Sequence, residues 1–237
     1  MLRNPFKKSP VQTIEQPASE IELLGPPQGD GLNQLRIEIA VRLRRFPVVD
    51  NACLARLRYK ASDESHLGLV ISAAEVSTSD KLEIARGCSG IVPMDISFTD
   101  ELPEALLADI EARCLPLFVP GLSLFECPLI VGKGCATDIP PRWEGATIFW
   151  YVAAAEYKNA LLTAAEQARA LGYEFRGLLD GKVNQMDHLR WWDGHVFEKW
   201  PEYAEHLPSQ ELMDAIVATG GYVRGPAIGF DGPAASK

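Results

Sequence analysis

The most constraining feature of the chain is a strand–helix–strand pattern followed by an aromatic peptide, between Ala146 and Trp200. Ala146-Thr147-Ile148-Phe149-Trp150-Tyr151-Val152-Ala153 is an apolar run rich in β-branched and aromatic residues, which suit a pleated, buried strand. From Tyr157 to Leu171 the period becomes helical. Tyr157, Leu161, Ala164, Ala165, Ala168 and Leu171 fall on one face, with Glu156, Lys158, Asn159, Glu166, Gln167 and Arg169 elsewhere. A stripe dominated by alanine lets such a helix approach a sheet closely. Gly172 stops the helix, and Tyr173–Leu178 resumes extended structure. Strand, helix, strand predicts a right-handed parallel crossover if both strands share a sheet.

The peptide Leu189-Arg190-Trp191-Trp192-Asp193-Gly194-His195-Val196-Phe197 follows. Asp-Gly between apolar residues is a strong signal for a type I′ hairpin. That register pairs Trp192 with His195 and Trp191 with Val196. Period two then places Leu189, Trp191, Val196 and Trp200 on a core face, and His188, Arg190, Trp192, His195, Phe197 and Lys199 on the other. The second face has the residue mix of a binding hot spot, and Arg190, Trp192, His195 and Phe197 are the candidate binding residues. The bland alternative is a second layer of core under residues 201–220, with the histidines merely hydrogen-bonded. Asp187, His188, His195 and Glu198 are metal-ligand types, but the ladder would separate the two histidines by roughly 13 Å, too far for one ion. No metal, cofactor or catalytic residue is assigned. Ser89, Ser97 and Ser123 lack a nucleophile elbow, and Gly132-Lys133-Gly134 lacks the spacing of a phosphate loop.

Upstream, residues 1–31 are rich in proline and glycine and read as a flexible arm. Ile21, Leu23 and Leu24 would dock on the body or on a second copy, so a homodimer stays open. Leu35, Ile39, Leu43 and Phe46 share a helical face, with Arg36, Arg42, Arg44 and Arg45 forming either an anion site or a solvated face. Strands follow at Val48–Tyr59, His66–Ile71 and Ile91–Phe98. A short helix opens on Ser77-Thr78-Ser79-Asp80, with a capping box of Asp80 and Glu83, and closes near Gly87; Pro103 opens another. Helices on one face of a sheet are expected for residues 32–119. Residues 116–145 read as a linker, with Leu129–Val131 a short strand. Ser209 caps a last helix carrying Leu212, Met213, Ile216 and Val217, closed by Gly220-Gly221. Tyr222–Arg224 reads as a short strand, and residues 226–237 as a loose tail.

Residues 32–119 resemble the C-terminal domain of the enhanced-serine-sensitivity (SseB) family of bacterial proteins. The likeness lies in the helix ending Phe46-Pro47, in Val49-Asp50-Asn51-Ala52-Cys53-Leu54-Ala55, in Leu67-Gly68-Leu69-Val70-Ile71 and in Pro93-Met94-Asp95-Ile96. Here the domain leads and an unrelated-looking region follows, a departure from the family. The resemblance implies a binding or accessory protein and carries over no catalytic residue.

The fold class expected is therefore mixed α/β, or α+β. Two small sheet-plus-helix units, 32–119 and 122–225, stand behind the arm. The formal net charge is −9, spread as −4 over residues 1–120 (13 basic, 17 acidic) and −5 over 121–237 (10 basic, 15 acidic). Such a chain repels phosphate backbones and acidic membrane surfaces, so neither nucleic acid nor membrane is an expected partner. Five cysteines at irregular spacing, with no C-x-x-C, point to a reducing, cytoplasmic compartment. Met1–Lys8 is not followed by the apolar run of a signal peptide. The expected function is a non-enzymatic accessory or regulatory protein working through protein–protein contacts, with a partner of basic surface. The alternatives are an immunity protein neutralising a secreted bacterial toxin, and an enzyme whose site lies between the units near Asp187, His188 and Arg190.

Overall fold

The computed structural model describes residues 21–60 and 64–231. The chain divides into two compact units, Met1–Phe118 and Val119–Lys237. Each is a sheet with helices, and the fold is of mixed α+β type.

The first unit has strands β1 (Ile21–Gly25), β2 (Val49–Tyr59), β3 (Ser65–Ala73) and β4 (Asp95–Phe98), hydrogen-bonded in that order. β1, β2 and β3 are mutually antiparallel neighbours, and β4 runs parallel to β3. Helices α1 (Leu32–Leu43), α2 (Thr78–Cys88) and α3 (Glu104–Arg113) complete it. Alternation along β2 sorts its side chains. Ala55 and Leu57 join Leu23, Val70, Leu106, Ile110 and Cys114 in one buried cluster under α3. Arg56 lies opposite Leu67 on the other face, where both line a groove of about 440 Å3 with Leu32 and Leu35 of α1. The sheet is thus covered on both faces rather than one.

Part of the expected arm is a strand. Leu23 points into the α3 cluster, Glu22 pairs with Arg58 at 2.7 Å, and Arg113 donates to the carbonyls of Leu23 and Leu24. Leu23, with Ile21 packed beside it, ties to the core a segment whose prolines and glycines resemble a linker. Residues 1–20 of the arm lie outside the described residues. α2 is capped one turn earlier than expected, because Ser77 is the N-cap and Asp80 the returning carboxylate of the box. Arg36 donates to the Pro116 carbonyl at 2.7 Å, and Arg42 to those of Gly87 and Ser89. Both guanidinium groups are thus engaged by backbone carbonyls, each linking α1 to a distant segment of the unit.

The second unit is centred on β5 (Ser123–Gly132) and β6 (Trp143–Ala154), with α4 (Tyr157–Ala170), β7 (Glu174–Leu178), β8 (Asn184–Met186) and β9 (Tyr222–Asp231). The order is β7-β5-β6-β9, with β8 also on β5, and every pairing is antiparallel. β6 and β7 therefore run parallel with β5 between them, joined by the helical crossover. α4 packs Ala160, Ala164 and Ala168 on the sheet face made by Phe125, Cys127, Leu129, Val131, Ala146, Ile148, Trp150 and Val152. Tyr157 and Leu171, expected on that stripe, are instead half exposed at its ends.

Two sequence expectations fail here for a shared reason. The supposed linker contains the central strand β5, and the supposed tail contains most of the edge strand β9. Each carries a proline, which normally argues against a strand. Pro128 pairs with Phe149 of β6, but on its other side β5 is paired with β8 only as far as Glu126 and with β7 only from Leu129. A nitrogen without a hydrogen on that side breaks no ladder bond. Pro226 lies in an edge strand, at a register shift against β6. Residues 232–237 of the tail lie outside the described residues. No helix among the described residues is long and apolar enough to cross a membrane.

If β1 belongs to the first core, Leu23→Ala should lower unfolding free energy by about 2–4 kcal/mol, the usual cost of a large-to-small core change. Urea denaturation measures it, and a change within about 0.5 kcal/mol would return this segment to the arm.

Candidate functional site

The candidate site is built on the second face of the β5–β6 sheet. The residues there are fixed by register. Glu126 of β5 lies between Tyr151 of β6 on one side and Asn184 of β8 on the other. Glu126 is only 4% exposed, in an otherwise apolar strand. A buried carboxylate is costly unless paired and hydrogen-bonded. Lys199 Nζ reaches its Oε1 at 2.7 Å, and Asn184 Nδ2 donates to its Oε2 at 3.1 Å. His195 Nε2 stands 3.8 Å from the same Oε1 and 2.9 Å from the Tyr151 hydroxyl.

His195 and Lys199 come from the aromatic peptide, which is not a hairpin. Residues His188–Arg190 form a 3-10 turn and Trp191–Val196 a π-helical turn, which runs into the short helix α5 (Phe197–Lys199). Pro201–His206 forms another 3-10 turn before helix α6 (Gln210–Thr219). The Asp-Gly signal loses to burial of three residues at helical rather than alternating spacing. Trp191, Val196 and Trp200 are all buried. Trp191 packs edge-on against Tyr151 and stacks on His195, and its Nε1 donates to the Pro208 carbonyl at 2.7 Å. Trp200 packs edge-on against Phe149 of β6. Gln210 at the start of α6 ties the turn from both sides, accepting from Trp192 N–H and donating to the His188 carbonyl.

The four candidate binding residues separate. His195 faces inward, with its side chain 12% exposed. Burial pushes its pKa down to about 4, outweighing the raising effect of Glu126, while Lys199 lowers it further. Burial also raises the Tyr151 phenol pKa, with Glu126 adding to it. A protonated phenol and a neutral His195 therefore share this hydrogen bond, with the donor set by the imidazole tautomer. Trp192 and Phe197 stay together on the outside as an edge-to-face pair, ring centroids 5.5 Å apart. The π turn accounts for this, since the Phe197 N–H bonds back to the Trp192 carbonyl and five residues separate the two. Phe197 is 54% exposed. Arg190 is exposed, and its guanidinium lies against Gly194 closely enough that a Cβ there would meet it at 3.2 Å. Leu189, expected in the core, is 71% exposed.

Asp187, His188 and Arg190 each make a local contact within the segment or to α6. Asp187 accepts from Leu189 N–H, His188 offers its carbonyl to Gln210, and Arg190 covers Gly194. Among the described residues no group of three or more His, Cys, Asp or Glu is placed to hold a metal ion. The residue that organises the site, Glu126, escaped the sequence reading. A lone carboxylate inside Leu124-Phe125-Glu126-Cys127-Pro128-Leu129 was the available signal. No family model, curated protein or solved structure matches the chain.

Two outcomes follow from the geometry. Trp191→Ala should cost about 3–5 kcal/mol as a core aromatic truncation. Trp192→Ala should cost under about 1.5 kcal/mol, because part of its ring is already in water. Equal losses in chemical denaturation would contradict the placement. His195 titrates near 6.5 when unfolded and near 4 when folded. Between those values the unfolded chain holds a proton that the folded chain does not. The contribution of His195 is therefore whole above about pH 6.5 and is lost as pH falls toward 4. The fall in urea midpoint from pH 7 to pH 4.5 should be shallower in His195→Asn than in the parent. Parallel curves would exclude a buried, neutral His195.

Proposed function

We propose that this chain is a non-enzymatic accessory protein that binds another protein through the face carrying Leu189, Trp192 and Phe197. One observation carries the reading. Within a single short segment, Trp191 and Trp200 are sunk into the unit while Leu189, Phe197 and part of Trp192 are left outside. A segment anchored so firmly yet exposing large apolar side chains suits a rigid aromatic docking point.

Charge supports a partner with a basic surface. Asp193 and Glu198, each next in sequence to one of the two rings, are exposed, as are Glu202 and Glu205 in the turn that follows. Such carboxylates speed encounter with a cationic surface and disfavour acidic partners. The same features favour a second form of the reading, in which the chain neutralises a toxin by covering a basic active site. A toxin encoded beside this chain and a tight one-to-one complex would distinguish it. The likeness of residues 32–119 to the SseB C-terminal domain fits an accessory role. The five unpaired cysteines, Cys53, Cys88, Cys114, Cys127 and Cys135, suit a cytoplasmic, reducing site of action.

The test is affinity capture from the native cell with the parent chain, Trp192→Ala and Phe197→Ala as parallel baits, each first shown to be folded. The parent should retain one protein in stoichiometric amount, and each variant about tenfold less or lower, as for hot-spot residues. Recovery of no protein, or equal recovery by all three baits, would overturn the proposal.

A further inference from the structure

Among the edge-to-face aromatic pairs of the second unit, two form corners whose relation to cations differs. The inner one is formed by Phe149 and Trp200, with ring centroids 4.8 Å apart and planes at 68°. Lys199 Nζ occupies it, 5.0 Å from the Phe149 centroid and 5.7 Å from that of Trp200, and is held by Glu126 at 2.7 Å. This corner therefore takes an ammonium group on two ring faces with a carboxylate behind it. The outer corner is formed by Trp192 and Phe197, 5.5 Å apart with planes at 82°. Each of its rings is followed directly in sequence by a carboxylate, Asp193 and Glu198, and both are exposed.

The outer corner differs in one respect. Elsewhere in this chain Lys81 lies over Phe98, Arg169 over Phe175 and Arg224 over Tyr173. Among the described residues no cation of the chain lies over Trp192 or Phe197, and neither Asp193 nor Glu198 forms an ion pair. Arg190, the nearest basic residue before the corner, is turned toward Gly194. The aromatic ring faces and the two carboxylates attract the same sign of charge.

We propose that the Trp192–Phe197 corner is the receptor for a lysine or arginine side chain of the partner protein, with Asp193 and Glu198 supplying the counter-charge. This rests on the protein-binding reading above and names the chemistry that the face recognises. The ring faces contribute attraction that survives salt, whereas the exposed carboxylates contribute steering that salt screens. Loss of one ring of such a corner weakens binding by about 3- to 30-fold.

The experiment uses the whole chain, a short arginine-rich peptide and the same peptide with citrulline in place of arginine, which keeps the shape and removes the charge. The indole N–H resonance of Trp192, assigned with Trp192→Phe, reports occupancy of the corner. It should shift saturably with the arginine peptide, at least about fivefold more weakly with the citrulline peptide, and about 3- to 30-fold more weakly with the arginine peptide in Phe197→Ala. Asp193→Asn with Glu198→Gln should weaken binding at low salt and flatten its salt dependence. An unmoved Trp192 resonance at millimolar arginine peptide would overturn the proposal. So would equal binding of the citrulline peptide, which marks an apolar anchor, or a shift driven by protein concentration alone, which marks a second copy. If the peptide fails while capture still yields a Trp192-dependent partner, the binding reading stands and cation recognition falls. If capture yields no partner, the binding reading itself falls.

Discussion

A single buried carboxylate orders one side of the second unit. Glu126 sits on a central strand, 4% exposed, between Tyr151 and Asn184 by register. Left alone it would be neutralised or would swing to water, because an isolated buried charge is costly. Lys199 and Asn184 satisfy it directly, and His195 completes the group through Tyr151. Three of these partners lie outside β5 and β6, so the charge cannot be satisfied until the chain after β7 has folded back over the sheet. The polar contacts select where that segment docks, and Trp191, Val196 and Trp200 supply the apolar area that holds it there. Breaking one partner would leave the others with an uncompensated charge, which makes the docking closer to all-or-none than any one contact would be.

The outward face follows from the inward one. A π turn advances the chain so that residues five apart share a side, and with Trp191 and Val196 turned in, Trp192 and Phe197 are turned out together. Gln210 and the Pro208 carbonyl hold the turn from the α6 side. The exposed aromatic pair thus stands on a clamped support, so little conformational entropy remains to be lost when a partner arrives. Asp193 and Glu198, exposed and next in sequence to the two rings, account for part of the chain's acidity, which is otherwise spread evenly over both halves.

Much of the scaffold was legible in the sequence because periodicity reports burial directly. The β2–β3 hairpin, the crossover through α4 and the Ser209 cap of α6 all follow from apolar spacing and capping chemistry. What was not legible depended on long-range pairing. β5 and β9 were hidden by Pro128 and Pro226, whose tolerance is decided by which neighbours lack a ladder bond at that point. The Asp193-Gly194 signal predicts a hairpin, yet the spacing of Trp191, Val196 and Trp200 suits a helical coil. A two-residue turn preference is worth little against the burial of two tryptophans. Alternation puts Trp192 and Phe197 on one face with His188, Arg190, His195 and Lys199; the two rings do meet, but through a π turn. His195, set on that face by the same alternation, lies instead beneath it.

The central claim is that Glu126 pins the segment that presents Trp192 and Phe197. Amide hydrogen exchange of the parent and Glu126→Gln compares them residue by residue without requiring a partner. Loss of a charge-assisted buried bond corresponds to about 1.5–3 kcal/mol, or about a tenfold or greater rise in local opening. The account predicts that rise across residues 188–206, with little change in α4 on the opposite face of the sheet. Unchanged exchange in residues 188–206, or an equal rise throughout the unit, would contradict it.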